Sequence, residues 1–214
     1  MRIALSIITL FAVFASLAAE RADTLTASRF FADAPLEVLD MIRPSSRLDM
    51  LDYYNQADSL LSVPDALGGK SRLAQVADDY LKVEVSPVST LEIKVLPYRK
   101  SVVYMTLYTV GSDSIARDTR VGFYDAGMRP LATGDFLKAP SAKAFFHNKG
   151  TDITDANLAA WMPFQTVVYA TGPGDTPLTA TVTTLQTLPD ETRDKLTPIV
   201  TPSLSASWKG GFRF

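Results

Sequence analysis

Cysteine is absent from this 214-residue chain, and histidine occurs once, at His147. Without disulfides, a hydrophobic core must hold the fold alone. The same scarcity excludes a histidine-rich zinc centre, a cysteine-ligated cluster and a Cys–His nucleophile pair. A Ser–His–Asp site would have to use His147, in Phe145-Phe146-His147-Asn148, and no Gly-x-Ser-x-Gly elbow accompanies it. We read His147 as a loop histidine. Clusters of one charge sign are missing too. The 21 Lys and Arg are interspersed with 23 Asp and Glu, for a net charge of −2. No basic stripe follows a phosphate backbone, so nucleic acid is not an expected partner. No calcium loop of the Asp-x-Asp-x-Asp-Gly kind occurs either. No catalytic, cofactor-binding or metal-binding residues, and no cofactor, are assigned from the sequence.

What is present begins with a leader. Ile3 to Ala19 is a run of 17 uncharged, mostly apolar residues behind Arg2. A basic head, an apolar stretch and the small residues Ser16, Ala18 and Ala19 form the pattern of a secretory signal peptide. Cleavage is expected after Ala18, with Ala19 as second choice. A retained anchor is the rival reading, but the run is marginal against the roughly 20 apolar residues a spanning helix needs. With no cysteine near the cut, lipid attachment through a cysteine is excluded. The expected organisation is a signal peptide over 1–18 and a single α+β domain over 19–214, with two sub-lobes dividing near 135–150 as a variant. The mature form is not expected to span a membrane. The 13 prolines and 11 glycines are spread along the chain, as short elements joined by tight turns require.

Helical periodicity comes first. Leu36, Leu39 and Ile42 recur at helical spacing after Pro35, which suits a first turn, and Pro44 is expected to stop that helix. Ser46-Arg47-Leu48-Asp49 has the form of a capping box and predicts a second helix with a stripe of Leu48, Leu51 and Tyr54. Ser71 to Tyr80 admits two readings. Leu73, Val76, Ala77 and Tyr80 fit a helix, which is favoured, while Asp78-Asp79 would equally make a hairpin turn. From Leu81 the period becomes two. Leu81–Val85 and Leu91–Leu96 alternate apolar residues with Lys82, Glu84, Glu92 and Lys94, as half-buried strands do. Val102–Val110 is nearly continuous in apolar character and predicts a central strand covered on both faces. Thr119–Tyr124 is the fourth strand of an antiparallel meander. Leu39, Leu51, Ile93, Val103, Met105 and Leu107 are the expected core. Further on, Thr154 caps a short helix ended by Pro163, Pro189-Asp190-Glu191 opens another, and strands are expected at Val167–Ala170, Leu178–Leu188 and Ser203–Phe214. The fold class is therefore α+β, an antiparallel sheet meander packed against short N-terminal helices.

Four features invite a chemical reading. Leu67-Gly68-Gly69-Lys70-Ser71 ends like a phosphate-binding loop, but Pro64 stands where the first glycine belongs and no apolar strand leads in; we read a glycine turn. Asp49 and Asp52 lie three apart on a helix, as general acid–base chemistry would require, yet helix capping and solvation also explain them. Asp78 and Asp79 are a second acidic pair. Trp208, Phe212 and Phe214 share one face of a final strand ending in an aromatic residue, as many outer-membrane barrels do. Such a barrel needs at least about eight strands, and a helical first third leaves too few, so a strand closing a soluble core is preferred.

Arg47-Leu48-Asp49-Met50-Leu51-Asp52-Tyr53-Tyr54, Leu67-Gly68-Gly69-Lys70-Ser71, Asp79-Tyr80-Leu81-Lys82-Val83 and Ile93-Lys94-Val95-Leu96-Pro97 follow one another in a way that resembles the domain-of-unknown-function 3256 family. That family comprises small exported proteins of gut-type Gram-negative anaerobes. The resemblance implies the periplasm or cell envelope as compartment and supplies no catalytic residues. It also implies sugar attachment at Asp-Ser/Thr followed by a small or apolar residue, which Thr24, Ser59 and Ser114 match. The function is unknown. The leading expectation is a non-catalytic binding or assembly module whose partner is an envelope protein or glycan. The alternatives are a carboxylate-dependent hydrolase using Asp49 and Asp52, and an outer-membrane-associated protein.

Overall fold

A computed structural model describes residues 25–56, 61–65, 68–112, 115–147 and 150–214. The expected signal peptide and the candidate glycan sites Thr24, Ser59 and Ser114 lie outside the described residues. Helices α1 (Ala27–Asp33) and α2 (Pro44–Asn55) precede strands β1 (Val63–Pro64), β2 (Lys70–Ala77), β3 (Tyr80–Ser86), β4 (Ser89–Tyr98), β5 (Ser101–Ser112), β6 (Ile115–Tyr124) and β7 (Pro130–Leu131). These seven strands form one antiparallel meander in sequential order, open, with β1 and β7 at its edges. Short turns make this topology the natural one, because only antiparallel neighbours can be joined so briefly. Then come α3 (Thr133–Phe136), β8 (Leu137–Lys138), α4 (Ala142–Phe145), α5 (Asp155–Trp161), β9 (Val167–Ala170), β10 (Leu178–Val182), α6 (Asp190–Leu196), β11 (Ser203–Ala206) and β12 (Phe212–Arg213). β9, β10 and β11 form a three-stranded antiparallel sheet; β12 runs parallel to β8. The fold is α+β.

The large sheet is the middle layer. Leu81, Val83, Val85, Leu91, Ile93, Val95 and Tyr104 on one face pack with Phe30, Phe31, Leu39, Ile42 and Met50 of the N-terminal helices and their connection. Leu96, Val103, Met105, Leu107 and Phe123 on the other face pack with the second half of the chain. β5 is therefore buried from Val103 to Leu107 on both sides. Of the expected core, Leu39, Ile93, Val103, Met105 and Leu107 are buried. Leu51 is only half-buried. α2 turns Arg47 and Met50 inward, leaving Leu48 exposed.

Five local expectations are corrected. The helix expected over Leu36–Ile42 is a series of turns, and the helix lies upstream in α1, capped where the Thr26 hydroxyl accepts from the Arg29 amide. Arg47 is the reason: its fully buried guanidinium donates to the carbonyls of Phe31 (3.3 Å), Ala34 (2.5 Å), Leu39 (3.1 Å) and Ile42 (2.8 Å). Pro44 starts α2 at its first turn instead of ending a helix, so the Ser46 box is not used. Ser71–Tyr80 is strand β2 with a hairpin at Asp78-Asp79. A bulge between Leu73 and Gln75 shifts the alternation by one residue, which makes inward side chains recur at helix-like intervals. β10 stops at Val182, where Thr183 and Thr184 bond to Arg117, Thr166 and the following turn. The final strand is broken after Ala206: Gly210 takes φ +76°, and Trp208 leaves the strand to donate to the Pro97 carbonyl at 2.7 Å.

Candidate functional site

Glu92 and Lys94 were expected on a solvent face, and both are buried, at 5% and 4% exposure. β9 and the loop after it cover that face and supply partners. Lys94 Nζ donates to Asp79 Oδ2 (2.6 Å) and to the carbonyls of Gly172 (2.8 Å) and Gly174 (2.6 Å). The Gly174 amide donates in turn to Asp79, and the Thr171 amide to Glu92 Oε2. Glu92 also faces Lys82 across the strand pair, at 3.5 Å. Burial and the neighbouring Glu92 hold the Tyr80 phenol well above its usual value. Every Lys94 proton has an acceptor, so this ladder fastens the 171–174 loop to the sheet and offers no proton to chemistry. β9 is fastened similarly: the amides of Val167 and Tyr169 donate to Asp118 and to Thr119 Oγ1 on β6.

The opposite face of the sheet is less completely covered. α1 packs on β2, β3 and β4, and beyond it the half of the face made by β5 and β6 forms the floor of a cleft of about 280 Å³. The turns Glu37–Ile42 make one wall, Pro130 and Leu131 contribute to another, and Val85 and Leu91 lie in the lining. The register stacks the floor in rows, Tyr108 beside Arg120 and Thr106 beside Gly122, with Tyr104 beside Tyr124. Val38, Leu39, Met41, Ile42, Val85 and Leu91 supply the apolar part of the lining.

Polar groups share the lining with these side chains. Arg120 lies over the Tyr108 ring, 5.6 Å from its centroid. Among the described residues Arg120, Glu37 and Asp40 form no ion pair, and all three are exposed to solvent at the cleft. Thr106 is buried to 6% exposure and lines the cleft. Gly122 makes room for it: a Cβ there would lie 2.7 Å from Thr106 Oγ1 and 3.0 Å from Tyr124 Oη. The cleft thus gathers two hydroxyls over a glycine, with a guanidinium and two carboxylates also in its lining. A depression beside Tyr98, Arg99 and Asp135 is larger, about 490 Å³. It is more open, and its Arg129 is already paired with Asp125.

The residues singled out from the sequence do not converge on the cleft. Asp49 and Asp52 are exposed on α2 and do not line it. Asp78 lies in the β2–β3 turn, and Asp79 serves Lys94. His147 is exposed, with Nε2 2.6 Å from Thr201 Oγ1. At Gly68-Gly69 the chain turns with Gly68 at φ +83°, and the Asp65 carboxylate accepts from the Gly69 amide where an anion would need it. Trp208, Phe212 and Phe136 stack together in the core of the second half, and Phe214 meets Tyr169. The cleft residues Glu37, Asp40, Thr106, Tyr108, Arg120 and Gly122 were missed. Gly122 inside an otherwise regular strand was the one readable signal, since such a glycine marks close approach.

No helix among the described residues is long and apolar enough to cross a membrane. The described residues hold no group of three or more His, Asp or Glu side chains arranged for a metal ion. A solved structure described as a domain of an uncharacterized protein from Porphyromonas gingivalis W83 is similar in fold, with a TM-score of 0.72 at 21% identity, over 86% of this chain and 94% of that one. Comparison with curated proteins gives no match. The family described as "Protein of unknown function (DUF3256)" matches residues 19–214, and the chain therefore belongs to that family.

Proposed function

We propose that this protein is exported to the cell envelope and acts there as a non-catalytic binding module, with the cleft on β5 and β6 as its binding site. Export is supported by the apolar run behind Arg2, and by a family match that begins at residue 19, where the expected mature chain begins. Binding through the cleft rests on one observation. A hollow of mixed apolar and polar lining contains the Thr106 hydroxyl, together with a guanidinium and two carboxylates that form no ion pair among the described residues. Apolar lining combined with convergent polar groups is the usual make-up of a ligand site. Its partner is a protein, peptide or glycan of the envelope.

The test pairs turnover with retention. Mature protein is incubated with defined envelope peptides and glycans, and each is assayed for cleavage and for binding. The account expects binding without cleavage, unchanged by replacing both Asp49 and Asp52 with Asn. Turnover that disappears in that double variant, with the protein still folded, would establish the carboxylate hydrolase instead.

A further inference from the structure

Given that the cleft is a binding site, its chemistry narrows the ligand. We infer that it takes a zwitterionic ligand with an apolar body, namely a short peptide carrying a free amino group, an aliphatic side chain and a free carboxylate. Three observations carry this. Part of the lining is aliphatic, from Val38, Leu39, Met41, Ile42, Val85 and Leu91. An aliphatic side chain gains by leaving water there, whereas the hydroxyls of a sugar ring would lose their hydration without recovering hydrogen bonds.

The charges are complementary to a zwitterion. Glu37 and Asp40 present negative charge from the turn wall, and Arg120 presents a guanidinium from β6 on the floor. Neither sign is neutralised by an ion pair among the described residues. A free amine answers the carboxylates, and a carboxylate answers the planar fork of Arg120, which lies over Tyr108. In the same cleft, Thr106 Oγ1 and Tyr124 Oη lie over Gly122 and offer hydrogen bonds to the peptide's amide.

Size agrees. About 280 Å³ sits at the lower limit of the roughly 300–1,000 Å³ typical of small-molecule sites. That suits one or two amino-acid residues better than an oligosaccharide.

Isothermal titration calorimetry of the mature protein tests this with L-leucyl-L-leucine, its N-acetyl and C-amide forms, and chitotriose. The unblocked dipeptide should bind, and either blocked form should bind at least about tenfold more weakly, as loss of a charge-assisted hydrogen bond implies. Arg120→Gln should weaken the dipeptide while leaving the C-amide form unchanged, and Glu37→Gln with Asp40→Asn should do the same for the N-acetyl form. Gly122→Ala, which pushes on both hydroxyls, should weaken every form. Arg120, Glu37 and Asp40 are exposed, so those variants remain informative if Gly122→Ala unfolds. Chitotriose binding that these variants abolish, without dipeptide binding, overturns the peptide assignment and leaves the binding reading standing. Blocked and unblocked dipeptides of equal affinity, or no dipeptide binding at millimolar concentration, overturn the inference as well. Cleavage of the dipeptide instead overturns the binding reading.

Discussion

Arg47 is the residue whose removal should be felt most. Its guanidinium is fully buried and donates to four carbonyls, those of Phe31, Ala34, Leu39 and Ile42. Phe31 lies in the last turn of α1 and Ala34 caps it, so the cation also sits where the helix's unpaired carbonyls gather. Among the described residues no carboxylate pairs with it, and burial pushes its pKa below the ordinary value. The carbonyls alone hold the charge. Replacing Arg47 with Met keeps most of the apolar stem and strands those acceptors in a buried site. Each hydrogen bond to a charged group is worth about 1.5–3 kcal/mol, and each buried acceptor left unpaired costs about 1–3 kcal/mol. These terms do not add, and part of the cost is recovered because the guanidinium no longer has to be desolvated. A net loss of about 3–5 kcal/mol is expected, the size usually seen when a buried charged contact is broken. Arg47→Lys keeps the charge but not the fork, so it should fall between. Urea unfolding of the mature protein measures both, with the slope m unchanged and the midpoint lowered. In a domain of roughly 150–250 residues the Tm should fall by about 2–4 °C per kcal/mol. Arg47→Met within about 0.5 kcal/mol of the parent, or Lys as good as Arg, would refute the reasoning.

Met50→Ala should cost about 2–5 kcal/mol, because Met50 is 2% exposed, whereas half-buried Leu51→Ala should cost about 1–2 kcal/mol; urea midpoints decide the order. The Tyr169 phenol is pushed up to about 12 by burial and by Asp118. A raised tyrosine favours the native state fully below its unfolded value near 10, and that contribution fades as pH climbs towards 12. Tyr169→Phe should therefore flatten the alkaline fall in stability between about pH 10 and 12 by about 2–3 kcal/mol, read from urea unfolding at stepped pH; an unchanged slope would contradict it. N-terminal sequencing of exported protein should begin at Ala19 or Glu20, and an intact Met1 would restore the membrane-anchor reading.

The meander was legible because its strands alternate or run continuously apolar, and only the core needed to answer. β2 was not, because one bulge at Leu73/Gln75 is enough to imitate a helical interval. The turns at 36–42 misled for a different reason. Local spacing there favours a helix, but Arg47, whose sequence neighbourhood reads as a solvent-facing stripe, takes the carbonyls of Leu39 and Ile42. Glu92 and Lys94 were misplaced because β9 and its following loop, nearly eighty residues away, bring them a cover and partners. The cleft was least legible of all. Arg120 meets Tyr108, and Thr106 meets Gly122, only through the β5–β6 register, and Glu37 and Asp40 reach it only because the expected helix does not form.

The cleft as the binding site is tested most directly by an amide NMR titration of the mature protein with L-leucyl-L-leucine. Saturable shifts should centre on Glu37–Ile42, Thr106–Tyr108 and Arg120–Tyr124, and should need at least about tenfold more dipeptide to saturate in Arg120→Gln. Shifts gathered on the outer face of α2 around Asp49 and Asp52, or in the β9–β11 sheet, with the cleft undisturbed, would contradict the account.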